Sequence, residues 1–145
     1  MKKTTAFWDA SALVPLCIEE TGSRSARTRL RKFAPVVWWG TFVEIHSALC
    51  RLHVSKEISE LDKQGAVNRL QLLGRGWREI LPHDFVPDLA IQMLDQYSLR
   101  AADSLQLAAS LIWCHERPAR KTFVCADRRL ALAAYAVGFS VVEIP

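Results

Sequence analysis

Two stretches of this chain share one plan. In AFWDASALV (residues 6–14) and TFVCADRRLA (residues 122–131) a short apolar run ends at an aspartate, and a helical pattern begins at once. The run is strand-length in each case, so the aspartate sits at a strand-to-helix corner. Further apolar runs extend the alternation. The pattern predicts strands at Thr5–Trp8, Val36–Trp39, Glu79–Leu81, Thr122–Cys125 and Val141–Ile144, with REILP the weakest of them. Helix-period segments fill the gaps: 11–19 and 22–33, 41–54 and 58–75, 86–97 and 101–116, and 128–137. Strands that alternate with helices pair in parallel, because each crossover returns the chain to the same edge of the sheet. The expectation is an α/β fold, a five-stranded parallel sheet with helices on both faces, built as one domain over residues 1–145.

Nothing in the composition opposes this. Half of the 145 residues are hydrophobic, enough for a core on each face of a sheet. No apolar run is long enough to span a bilayer. Asp9 interrupts the apolar stretch near the N-terminus that a secretory signal would need, so a cytoplasmic protein is expected. Cys17, Cys50, Cys114 and Cys125 lie far apart with no C-x-x-C pair. Four reduced, mostly buried thiols are expected rather than a zinc site or a disulfide framework.

In an open parallel sheet ligands bind beyond the carboxyl ends of the strands, where Asp9 and Asp127 stand. Aspartate at such a corner is also a favoured helix N-cap. If Asp9 is the cap, Pro15 becomes the sixth helical residue and breaks a backbone bond. A cap at Ser11 would move Pro15 to the edge of the first turn and free Asp9. At the other corner, Arg128 and Arg129 put cations into a first helical turn, against the helix dipole. Two more acids start near the same edge of the sheet. Glu44 lies beside the apolar stripe of Phe42, Ile45, Leu49 and Leu52, and Asp103 borders the face of Ala102, Leu105, Ala109 and Ile112.

Asp9, Glu44, Asp103 and Asp127 can thus meet in one pocket. Four carboxylates gathered there repel unless they are protonated or neutralised. A hard divalent cation neutralises them, and without a His or Cys ligand Mg²⁺ or Mn²⁺ is favoured over zinc. The formal net charge is +4, from 19 basic and 15 acidic residues; setting the four acids aside leaves 11 acidic residues against 19 basic. An acidic metal pit in a basic surround suits a polyanionic substrate, whose phosphates the basic surface holds.

At this point the residues resemble a known family. DASALVPLCIEETGS, TFVEIHSAL, LRAADSLQLAAS and FVCADRRLALAAYAVGFSVV are similar, in order and spacing, to the segments that mark PIN-domain ribonucleases. The nearest group is the VapC toxins of bacterial and archaeal toxin–antitoxin pairs. The resemblance covers essentially the whole chain. It implies a PIN-like three-layer α/β/α sandwich and a Mg²⁺- or Mn²⁺-dependent endoribonuclease site. Asp9, Glu44, Asp103 and Asp127 match the family's four acids, as catalytic residues and metal ligands. Ser11 matches the small hydroxyl residue that supports the first acid. The resemblance further implies cleavage to a 5′-phosphate and a 3′-hydroxyl, a homodimer, and inhibition by a small antitoxin. Two positions depart from the pattern. Cys125 stands where the family often has Thr or Ser, and Pro15 where a polar or basic residue is more usual.

Several other residues have a bland and a functional reading. Arg100, Arg128 and Arg129 flank the acids and are candidates for RNA contact. Arg24, Arg27, Arg31 and Lys32 share a helix face, either solvated or a contact for RNA or antitoxin. His46, His53, His83 and His115 show no common ligand spacing. The five tryptophans suit packing better than base stacking. A phosphoaspartyl enzyme is a rival class, but a dehalogenase-like site would need an acid where Ser11 stands. A PIN-like RNA-processing nuclease and a binding module that does not cut remain as alternatives.

Overall fold

In chain order the elements are β1 (Thr4–Trp8), α1 (Ala10–Cys17), α2 (Ser23–Lys32), β2 (Phe33–Trp38), α3 (Thr41–Val54), α4 (Glu60–Gly76) and β3 (Arg78–Ile80). They continue with α5 (Phe85–Gln96), α6 (Ala101–Trp113), β4 (Thr122–Cys125), α7 (Arg128–Val137) and β5 (Ser140–Glu143). The structure is a computed structural model that describes residues 2–145. Every strand pair is parallel, and the strands lie side by side in the order β3-β2-β1-β4-β5. The expected five-stranded parallel sheet is therefore present, in an α/β/α sandwich.

Alternation along the strands makes two cores. Ala6 and Trp8 of β1, Val37 of β2 and Val124 of β4 pack on one side with Leu13, Ile45, Leu49 and Leu70, which belong to α1, α3 and α4. Phe7, Val36, Trp38, Phe123 and Cys125 point to the other side and pack with α5, α6 and α7. Phe7 and Phe123 are register partners, and their rings stack with centroids 5.4 Å apart. The period-two pattern is what buries a sheet on both faces.

Expected and observed elements differ mainly at their ends. β2 starts at Phe33, three residues earlier than expected, and so contains Pro35. Proline cannot donate to a ladder and is confined to strand edges. Here β3 pairs only with Val36, Val37 and Trp38, so Pro35 has a neighbour on the β1 side alone. α6 stops at Trp113 rather than residue 116. His115 and Glu116 turn left-handed there (φ 53° and 57°), and the Glu116 N–H reaches back to the Leu111 carbonyl. α4 opens on a capping box between Ser59 and Asp62.

Gly138 ends α7 as expected, with φ 118°. Its N–H and that of Phe139 close onto the last turn, and a Cβ there would stand 3.1 Å from Pro118 Cγ. Only glycine visits that region freely. Gly138→Ala is expected to cost about 1–2 kcal/mol, read from the urea midpoint. An unchanged midpoint would contradict this reading of the turn.

The strand order also fixes where a site can form. From β1 the chain moves outward through β2 to β3, then returns to place β4 on the other side of β1. The order reverses between β1 and β4, and a crevice opens beyond their carboxyl ends.

Candidate functional site

β1 and β4 end at that crevice, and each delivers an aspartate into it. Asp9 caps α1. Its Oδ2 accepts a hydrogen bond from the Ser11 N–H at 3.1 Å, and its Oδ1 accepts one from the Ser11 hydroxyl at 2.8 Å. Of the two candidate caps the structure uses Asp9 and not Ser11. Asp9 caps the helix, Pro15 lies inside it, and the same carboxyl still faces the cavity. Each carboxylate oxygen has more than one acceptor position, so the two Ser11 bonds and a site role coexist. The Ser11 Oγ also accepts a bond from the Ala126 N–H at 2.8 Å. One hydroxyl thereby ties the β1 corner to the β4 corner.

Asp127 repeats the device on α7, where its Oδ1 accepts from the Leu130 N–H at 2.8 Å. Glu44 and Asp103 come from the first turns of α3 and α6. The four acids line one cavity of about 180 Å³, together with Ser11, Val14, Ala48 and Arg51. This pit shares Glu44, Arg51, Asp103 and Asp127 with a wider cleft of about 730 Å³, whose walls add Ser47, Arg100, Arg128 and Arg129. Asp9 is 4% exposed and lies at the bottom.

The electrostatics follow from this crowding. Burial pushes the Asp9 carboxyl from its ordinary 3.8 up to about 7, and the charges of Glu44 and Asp103 push the same way against the two Ser11 bonds. Glu44 is also raised, chiefly by burial and then by Asp103; the Gln106 amide opposes this. Asp103 is raised by burial and by Asp127, against Arg100 and Arg129. In all three the leading cause is loss of water around the carboxyl, and the neighbouring carboxylates add to it.

Oxygen donors dominate this lining, and no histidine or cysteine is among them. That chemistry fits a hard dication rather than zinc. Among the described residues no three Asp, Glu, His or Cys side chains stand close enough to grip an ion together. A fit therefore requires a hydrated ion held partly through its waters, which is how Mg²⁺ is usually bound.

Two residues escaped the sequence reading. Arg51 lies seven residues after Glu44 on α3, two turns along the same face, and borders both pit and cleft. Its guanidinium donates to Ser47 Oγ at 2.8 Å. The i, i+7 spacing was a usable signal. Gln106 is fully buried on α6. Its Nε2 donates to Glu44 Oε2 at 2.7 Å and to Thr41 Oγ1 at 2.9 Å, and its Oε1 has no partner.

The other candidates fall into place. Arg100 and Arg129 line the cleft, as does Arg128, which also pairs with Glu143 at 2.9 Å. Arg24, Arg27, Arg31 and Lys32 line neither pit nor cleft, and Arg27 pairs with Glu19. None of the four histidines borders the acids. The Cys125 thiol is buried, is held protonated by that burial and by the nearby Asp9 charge, and points at the Asp127 backbone carbonyl. It does not take over the part of the absent hydroxyl. No described helix is long and apolar enough to cross a membrane.

No protein-family model and no curated protein matches the chain. Solved structures do. One, a toxin–antitoxin complex from Klebsiella pneumoniae, superposes with a TM-score of 0.66 at 16% identity, covering 97% of this chain and 100% of that one. Another, PAE2754 from Pyrobaculum aerophilum, gives a TM-score of 0.62 at 16% identity, over 97% and 89% of the two chains. The likeness is one of fold, and it is the fold that the sequence resemblance implies.

Proposed function

We propose that the chain is a Mg²⁺- or Mn²⁺-dependent endoribonuclease and the toxin of a toxin–antitoxin pair. The observation that carries this reading is the meeting of four acids, from two strand ends and two helix starts, in one pit, with the carboxyls of Asp9, Glu44 and Asp103 raised. A structural role does not need that arrangement, since unneutralised carboxylates destabilise a fold. Likeness of fold to a chain from a toxin–antitoxin complex supports the toxin assignment.

Asp9, Glu44 and Asp103 hold the cation, directly or through water, and Asp127 completes the set. An ion held there would make a water more acidic and would neutralise charge on a phosphoryl oxygen. Ser11 fixes the Asp9 carboxyl by its hydroxyl, and Gln106 fixes that of Glu44 by its amide. Arg51 on one wall and Arg100 and Arg129 on the other hold the phosphates that flank the cut. A small antitoxin and a second copy of the chain are the partners of this reading. The test is incubation of the purified protein with RNA in Mn²⁺ or in EDTA. Cleavage confined to the Mn²⁺ arm is the expected result, and equal outcomes in both arms would refute it.

A second reading, an RNA-binding module that does not cut, draws on the lack of a preassembled three-acid set among the described residues. It predicts RNA binding without cleavage in either arm.

Phosphate contact has its own measurement. RNA binding in EDTA weakens with salt, with a slope set by the phosphates neutralised. Arg51→Ala is expected to reduce that slope by about 0.7 for a single strand. An unchanged slope would remove Arg51 from the substrate path.

A further inference from the structure

Beyond Arg129 the cleft runs into a second hollow. A recess of about 220 Å³ is lined by Tyr97, Ser98, Leu99, Arg129, Leu132 and Ala133. It adjoins the cleft on two elements. Arg129 belongs to both linings, and Leu132 follows it by one turn on α7. Leu99 lines the recess, and Arg100, the next residue, lines the cleft. Apart from Arg129 and Ser98 the lining is apolar. Leu132 is 53% exposed on a helix whose opposite face, with Leu130 and Ala134, is fully buried. Tyr97 and Leu99 are half-buried and pack against the core.

A ligand that suits both compartments carries an anion and a flat apolar group a short distance apart. A nucleotide within a strand is such a group. Its phosphate meets the guanidinium, and its base leaves water against hydrocarbon and an aromatic side chain. A duplex does not offer this, because its bases are stacked and paired inside the helix. Single strands can turn a base out, and proteins that bind them join a basic track to apolar or aromatic seats.

We propose that this recess is a nucleobase subsite, which seats the base of the nucleotide whose phosphate Arg129 holds. The inference rests on the RNA reading of the cleft and adds a seat for one base and the residues that line it.

The test is binding without chemistry. The full chain is titrated in EDTA with a fluorescent RNA heptamer, and then with a heptamer of equal charge whose nucleotides all lack their bases. Phosphate contacts are the same for both, so the difference between them reports base seating. Wild-type protein is expected to bind the intact strand roughly tenfold more tightly. Leu132→Asp and Tyr97→Ala are expected to lose most of that difference; the added Asp charge acts on both strands alike. Leu132 is a surface residue, so at least one of the two variants keeps its fold, and circular dichroism checks both. Arg129→Ala should weaken both strands together. RNA binding with an undiminished difference in both variants overturns the subsite and leaves the nuclease reading standing. Binding of neither strand by wild-type protein overturns both.

Discussion

Asp9→Asn is expected to lower metal-dependent RNA cleavage by roughly 10²–10³-fold, since a ligand to a catalytic cation contributes several kcal/mol to transition-state charge. It is also expected to make the metal-free protein more stable at pH 8. The two effects have one cause. The folded state holds the Asp9 proton up to about pH 7, whereas the unfolded chain releases it near 3.8. Between those values the folded state binds more protons, so its stability falls as pH rises through the window. A displacement of that size corresponds to about 4 kcal/mol. Asparagine keeps the helix cap, since its carbonyl accepts the same N–H, and it carries no charge to bury. Melting temperatures in EDTA at pH 5 and pH 8 check this. Wild-type protein should lose stability across the interval, and Asp9→Asn should lose much less. Parallel losses would show that Asp9 is not the buried acid that titrates.

Gln106→Leu is expected to weaken Mn²⁺ binding and cleavage by roughly 10–100-fold, the usual effect of removing a group that orients a metal ligand. The amide is the donor that holds Glu44 in its charged form against burial and the Asp103 charge. Without it that carboxyl is free to turn or to keep its proton. Leucine also removes a buried carbonyl oxygen that has no partner, which offsets part of the roughly 1–3 kcal/mol cost of leaving Glu44 and the buried Thr41 hydroxyl without their donor. Loss of Mn²⁺ affinity in a variant that circular dichroism shows still folded separates orientation from packing. Unchanged Mn²⁺ affinity in the folded variant would make the contact with Glu44 incidental.

The alternation of apolar runs with helical patterns was enough to place every strand and helix, because burial on two faces imposes both periods strongly. Pro35 hid the start of β2, since whether a proline is tolerated depends on which neighbour that part of the strand lacks. The acids were legible from their places at strand ends and helix starts. Their meeting in one pocket was expected from a parallel sheet, but the strand order that opens the crevice between β1 and β4 was not. Asp9 was misread in one respect. Capping and site chemistry were set against each other, yet the carboxyl that accepts both Ser11 bonds also lines the pit. Gln106 gave no sign, because an amide on the buried side of a helix reads as an interruption of the apolar stripe until its partner across the layer is known.

What all of this requires is that the acids of the pit gather around one oxygen-loving cation. Calorimetric titration of the metal-free protein with Mn²⁺, beside Asp9→Asn, addresses that directly. Saturable Mn²⁺ binding by the wild-type protein, weakened at least roughly tenfold in the variant, is the predicted result. Equal affinities, or no heat of binding in the wild-type protein, would contradict it.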